Sequence, residues 1–271
     1  MMAAWLRVPW AFFVRDFRRE VSYKVGFPLD VVGALLDVAI YYFIARVFGD
    51  AVAPYLQTYG GNYFAFVVIG VAFTGYLGVG LEAISNNIRS EQIAGTLELM
   101  LLGPTRLPFI LIASSLWSYA FATTIVLVYL LVGGALGMRL DQANVPFALL
   151  SLLIAVASFN ALGFFATSLV ILVKHGNPLG WAIRVSSMLL GGVYYPVSVL
   201  PDWLHLVAQA LPLTHALELL RQSLLQGAGM AELWPRLLAL TTLTALLLPL
   251  GLLACHLAIH VARVDGNLSH Q

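Results

Sequence analysis

Charge is what this sequence has least of. Only 10% of its 271 residues are Asp, Glu, Lys or Arg, while 61% are hydrophobic; a soluble domain carries about 25% charged residues. Such a chain cannot cover itself with a hydrated surface, so lipid must be its solvent and the class is integral membrane protein. Cysteine is nearly missing: Cys255 stands alone, which excludes an intramolecular disulfide and a cysteine metal cluster. The net charge is +1, so no basic field points to a nucleic-acid partner. The N-terminal stretch carries Arg7, Arg15, Asp16, Arg18, Arg19, Glu20 and Lys24, which interrupts any apolar signal core, and the N-terminus is expected to be retained. Catalytic motifs are missing as well. There is no G-x-x-x-x-G-K-[ST] and no Gly-Lys pair, hence no loop to cradle nucleotide phosphates; no H-E-x-x-H or G-x-S-x-G occurs either. His256 and His260 share a helix face beside Cys255 without a Glu in the metalloprotease position, and are read as interface histidines rather than metal ligands.

What the chain does have is hydrophobic length. Crossing about 30 Å of hydrocarbon takes about 20 apolar helical residues. Six segments qualify, at about 29–48, 63–84, 107–137, 147–173, 179–200 and 235–262. An all-α membrane protein of one domain, 1–271, with six transmembrane helices is expected. With the N-terminus inside, ten Lys and Arg residues fall on the cytosolic side (Arg7, Arg15, Arg18, Arg19, Lys24, Arg89, Arg106, Lys174, Arg184, Arg263) and four outside (Arg46, Arg139, Arg221, Arg236). That bias places both termini in the cytosol.

Residues 5–24 read as an amphipathic helix too charged to span. Leu6, Trp10, Phe13, Val14, Phe17 and Val21 share one face, with Arg7, Arg15, Arg18 and Arg19 outside it. Such a helix lies in the cytosolic interface, with Pro9 in its first turn; the alternative is a packing helix against a partner protein. Between spans five and six the stretch 202–226 is largely apolar. Asp202 is placed to cap one short helix, ending before Pro212; Thr214 is placed to cap a second, ending at Gly227. Two short apolar helices in series suggest a re-entrant hairpin in the outer leaflet, or alternatively a surface amphipathic pair. Span five is interrupted by Gly191, Gly192 and Pro196, which predicts a kink or early unwinding in its outer half.

Intramembrane polar residues are costly and carry functional weight. Asp37 sits near the middle of span one, with two readings open: a structural ion pair or hydrogen bond, or a role in a transport path or gate. Asn160 in span four suits an interhelical hydrogen bond, while Glu82 and Arg184 lie near cytosolic ends, within reach of water. After span two, residues 89–103 predict a short cytosolic helix, with Ser90 as cap, a bend at Gly95 and a stop at Gly103-Pro104. Leucines and Glu91 or Glu98 could dock such a helix in a partner's groove; a plain structural turn fits equally well.

The run Glu91-Gln92-Ile93-Ala94-Gly95-Thr96-Leu97-Glu98, followed by Gly103-Pro104-Thr105, resembles the cytosolic signature of ABC-2 type transporter permeases. So does Gly191-Gly192-Val193-Tyr194-Tyr195-Pro196, continuing to Leu200-Pro201-Asp202-Trp203, Leu211-Pro212-Leu213-Thr214 and Leu220-Arg221. The likeness covers essentially the whole chain. It implies the membrane subunit of an exporter with two permeases and two ATPases, the ATPase being a separate chain. The segment 89–103, with Glu91, Gly95, Thr96, Leu97, Glu98, Gly103 and Pro104, would be the coupling helix received by that ATPase. The interfacial helix, with Trp10, Arg15, Phe17, Arg18 and Arg19, would touch it too. Asp37, Gly191, Gly192, Tyr195, Pro196, Pro201 and Pro212 would line or gate the path. The resemblance further implies that ATP and magnesium bind the partner and not this chain, that a second permease copy completes the path (a homodimer favoured over a heterodimer), and that the cargo is an amphiphile: drug, lipid or lipid-linked glycan. The expected location is the cell (inner or plasma) membrane. Three rivals stand beside this reading: an ion-coupled secondary transporter using Asp37, which would be expected to show an internal repeat; an intramembrane enzyme, for which no catalytic pair presents itself; and a non-transporting assembly protein.

Overall fold

In lipid a segment must satisfy its own backbone N–H and C=O groups, and an apolar run does so as a helix. A computed structural model describes residues 2–22, 26–93, 107–173 and 177–264 of the chain. Among them are nine α-helices and no strand: α1 (Met2–Ser22), α2 (Gly26–Val52), α3 (Tyr63–Ile93), α4 (Leu107–Ala135), α5 (Val145–Val173), α6 (Pro178–Leu190), α7 (Asp202–Gln209), α8 (Pro212–Gln226) and α9 (Met230–Val264). A 3-10 segment, Ala53–Tyr59, extends α2. Five stretches are long and apolar enough to cross a membrane: Gly26–Tyr59, Tyr63–Asn87, Ile112–Ala135, Val145–Val173 and Met230–Val261.

The stretch expected as span five does not form one long helix. α6 ends at Leu190 and has 13 residues, about 20 Å at 1.5 Å per residue, short of the hydrocarbon thickness. The break falls at the two glycines: Gly191 caps the helix and Gly192 takes φ 77°, a left-handed conformation that only glycine adopts without cost. The chain then turns through Pro196 into a short 3-10 segment.

Three other local expectations are corrected. α1 begins at Met2, because Ala3, Ala4 and Leu6 favour helix, so Pro9 lies inside the helix and not in its first turn. α3 runs unbroken to Ile93, since no Gly or Pro interrupts 81–93; Ser90 therefore extends span two and caps no separate helix. Asp202 is the first helical residue of α7, behind Pro201 at the cap, and α8 starts at Pro212 after Leu211, so neither Asp202 nor Thr214 is a cap. Proline with φ near −65° is already set for a first turn. Asn160 Nδ2 donates to the Val156 carbonyl of its own helix at 3.0 Å, and the same side chain faces Tyr119 of α4, the interhelical partner expected of it. The expected end of the second short helix holds: Gly227 caps α8 with φ 68°.

α3 is the central helix, and small residues let it approach its neighbours. A Cβ on Gly163 of α5 would collide with the Gly80 carbonyl of α3, and one on Gly80 would come within 2.7 Å of the Phe159 Cβ. On the other side of α5, a Cβ on Gly251 of α9 would lie 2.6 Å from the Ala161 carbonyl oxygen, and Ser158 hydrogen-bonds Thr244 across the same pair. This is the close, small-residue packing that holds helices together in lipid. One end of the bundle is tied by Asn87 Nδ2 to the Ser114 carbonyl (3.0 Å) and Asn177 Nδ2 to the Leu81 carbonyl (3.1 Å). The other is tied by the Asn144 N–H donating to the Ser223 carbonyl at 2.8 Å. Gly163→Ala is expected to cost about 1–3 kcal/mol by forcing α5 off α3. Gly134→Ala, whose Cβ meets nothing within 4 Å, leaves thermal unfolding in detergent unchanged or slightly raised.

Candidate functional site

Helical spacing brings one face each of α2, α3 and α4 around a common void. On α2 the residues are Leu29, Asp30, Gly33, Ala34 and Asp37; on α3 they include Ala72, Gly75, Val79, Glu82 and Asn86; on α4, Ser118, Phe121, Ile125 and Tyr129; and α6 contributes Arg184. Positions three and four apart share a helix face, so each set is a stripe. The void is an open cleft of about 670 Å³. It exists because the stripes are rich in Gly and Ala: a Cβ at Gly33 or Gly75 would meet nothing within 4 Å.

The charged residues of the cavity were visible in the sequence; their partners were not. Asp37 lies eleven residues into α2, about 16 Å along it. Its Oδ2 accepts a hydrogen bond from the Tyr129 hydroxyl of α4 at 2.8 Å. It thus has a structural hydrogen bond and a place on the cavity wall at once. Nearer the end where Asn87 and Asn177 tie the bundle, Arg184 Nη1 lies 2.7 Å from Glu82 Oε1, joining α6 to α3. Both side chains are nearly half exposed, so this pair contributes little stability and serves as a polar rim. Asp30 stands on the same rim.

At the opposite end of the bundle α8 is buried along most of its length, with Thr214, His215, Arg221 and Ser223 inside. Arg221 is 2% exposed. Its guanidinium donates to three carbonyls: Nε to Phe66 of α3 at 3.0 Å, Nη1 to Gly192 at 2.7 Å and Nη2 to Val193 at 2.9 Å. Its carbon centre lies 3.4 Å from the Phe66 ring centroid. Burial pulls the guanidinium pKa down to about 9, which leaves it cationic at neutral pH. A Cβ on Gly70 would strike the same guanidinium, so glycine is what admits it. One helical turn before Arg221, Glu218 accepts from the Tyr59 hydroxyl at 2.7 Å and from Gln222 Nε2 at 2.6 Å. Thr214 Oγ1 donates to the Ala208 carbonyl at 2.6 Å and His215 Nε2 meets the Gln209 carbonyl at 2.8 Å, fixing the turn between α7 and α8. Burial lowers the His215 pKa, which favours the neutral ring.

The gate residues expected from the sequence fall at this second place. Gly191 and Gly192 form the break after α6, Tyr195 donates its hydroxyl to the Leu189 carbonyl, Pro196 leads into the 3-10 segment, Pro201 precedes α7 and Pro212 opens α8. Asp37 is apart from them, in the cavity. On α1, Arg15 pairs with Asp16 at 2.8 Å, Trp10 is exposed, and Phe13 and Phe17 meet the Trp117 ring of α4 edge-on at 5.4 and 5.1 Å; Arg18 is exposed and the Arg19 side chain lies outside the described residues. Glu91 belongs to the last turn of α3, while Gly95, Thr96, Leu97, Glu98, Gly103 and Pro104 lie outside the described residues. Missed from sequence were Tyr129, Gly33, Gly75, Gly70 and the buried role of Arg221. Only Arg221 carried a signal: an arginine within an apolar run, three residues after Glu218.

A bundle of long apolar helices, with a polar-rimmed cavity entering it from one end, defines a multi-pass membrane transport protein. The model of the ABC-2 type transporter family matches residues 28–225, and the chain belongs to that family. Among the curated proteins no match is found.

Arg221→Met is expected to strand the Gly192 and Val193 carbonyls and to destabilise the protein by about 2–4 kcal/mol. Arg221→Lys recovers little of this, because an ammonium lacks the planar fork that reaches three carbonyls. Thermal unfolding of the solubilised variants measures both.

Proposed function

We propose that this chain is the membrane-spanning permease of an ATP-driven exporter, with a second copy of itself opposite and two copies of a separate ABC ATPase on the cytosolic side. Membership of the ABC-2 type transporter family supports an ATPase partner, which would hold the ATP and magnesium that this chain has no P-loop to bind. The observation that carries the reading is the cavity between α2, α3, α4 and α6, which reaches Asp37 eleven residues into α2.

On this reading the Lys and Arg bias sets both termini in the cytosol of a cell-membrane protein, and the rim of Asp30, Glu82 and Arg184 faces the cytosol. α6, with the turn and 3-10 segment that carry the chain to residue 200, makes the sixth crossing. α7 and α8 form the re-entrant pair in the outer leaflet. Trp203 and Leu206 of α7, 70% and 76% exposed, then face lipid, and Arg221 holds the pair to the end of α6. Force enters at 89–103: α3 leads straight into this segment, so a push by the ATPase is delivered along the helix that lines the cavity. α1 lies in the interface beside α4, its exposed Trp10 toward lipid. Cargo is an amphiphile that enters from the cytosolic side or the inner leaflet and leaves past α7 and α8.

The test is transport by inside-out vesicles holding the protein with its co-purified ATPase. Gly75→Phe, which projects a ring into open space, is expected to abolish transport while shifting stability by no more than about 0.5 kcal/mol. Replacing Gly95 or Glu98 is expected to leave ATPase activity but break its link to transport. Purification without any ATPase, or full transport in all three variants, counts against the reading.

A further inference from the structure

The cavity has an uneven charge balance. Three carboxylates line it, Asp30, Asp37 and Glu82, and among the described residues Arg184 is the only cation that does. Arg184 is already spent on Glu82 at 2.7 Å. Among the described residues neither Asp30 nor Asp37 has a countercharge. Asp37 Oδ2 receives only the neutral Tyr129 hydroxyl, and Oδ1 has no protein partner among the described residues. An ionisable group within a membrane-spanning helix is costly unless paired, and the described residues offer it a hydrogen bond but no cation. The complement has to come from whatever occupies the space.

We infer that the cavity takes a cationic amphiphile: one ammonium or comparable organic cation, directed to Asp37, on an apolar body of drug-like size. This rests on the permease reading above and names its substrate class. The volume of about 670 Å³ lies within the roughly 300–1,000 Å³ of small-molecule sites. The apolar part of the wall includes Phe121 and Tyr129 beside Ile125 and Val79, and aromatic rings attract organic cations. Asp30 and Asp37 stand seven residues apart on α2, about 10 Å of rise, so a cation met at the rim has a second station inward. An anionic amphiphile meets two unopposed carboxylates and is repelled at both.

The deciding measurement is equilibrium binding of two ions with the same tetraphenyl body and opposite charge, tetraphenylphosphonium and tetraphenylborate. The protein is purified with its associated ATPase in nanodiscs of zwitterionic lipid, and empty-disc partitioning is subtracted. Saturable binding is expected for the phosphonium and not for the borate. Asp37→Asn weakens phosphonium binding by about tenfold or more and Asp30→Asn by about threefold, the deeper site being less screened. Arg184→Gln releases Glu82 and is expected to tighten phosphonium binding, a gain that damage to the fold does not produce. Equal saturable binding of both ions, no saturable phosphonium binding, or a phosphonium affinity unmoved in both Asp37→Asn and Arg184→Gln overturns the inference. ATPase co-purification and hydrolysis are read on the same samples. Their loss strikes the permease reading, while their presence without charge-selective binding strikes the substrate class alone.

Discussion

A single buried cation organises one end of this helix bundle. Arg221 has no carboxylate within hydrogen-bonding reach among the described residues; it is neutralised by the oxygen ends of three peptide dipoles, those of Phe66, Gly192 and Val193. Two of these carbonyls belong to the turn that ends α6, where helical partners run out. The arrangement solves two problems together. The helix end obtains donors that lipid cannot supply, and the guanidinium obtains acceptors without a second buried charge. It also dictates its surroundings: Gly70 must lack a side chain, Gly192 must take a left-handed turn, and α8 must lie buried against α3.

The cavity obeys a contrasting rule. Elsewhere along α3 small residues bring backbones together, as Gly80 does with Gly163. At Gly75, and at Gly33 across from it, the same residue type leaves space unfilled. Packing around Gly80 therefore fixes where α3 sits, and the missing side chains around Gly75 fix where it stays out of contact. Stability and vacancy are distributed along one helix, a few residues apart.

How much of this could be read from the sequence follows from the range of each interaction. Hydrophobic length placed α2, α3, α4, α5 and α9 within a few residues at most boundaries, because lipid imposes one requirement on every span. Pro212 and Gly227 located the short helix of 212–226, and Gly191-Gly192 marked the break after α6. The capping assignments of Asp202 and Thr214 failed because the prolines beside them already occupied the helix starts. The cavity was not legible at all: Glu82 and Arg184 lie 102 positions apart and Asp37 and Tyr129 lie 92 apart, and nothing in either local sequence distinguishes a glycine that packs from one that leaves a void. The motif at 94–106, most informative in sequence, falls outside the described residues.

α3 ties these elements into one body. Its 31 residues make a rod about 46 Å long, touching Arg221 through Phe66 near one end, walling the cavity in the middle and carrying Glu91 at the other. A rod of that length turns angle into distance: a tilt of about 10° about one end displaces the other by about 8 Å. The close contact at Gly80 acts as a natural fulcrum, being the place where the rod cannot translate without lifting α5. A rod pivoting there moves its Glu91 end and its Phe66 end in opposite directions.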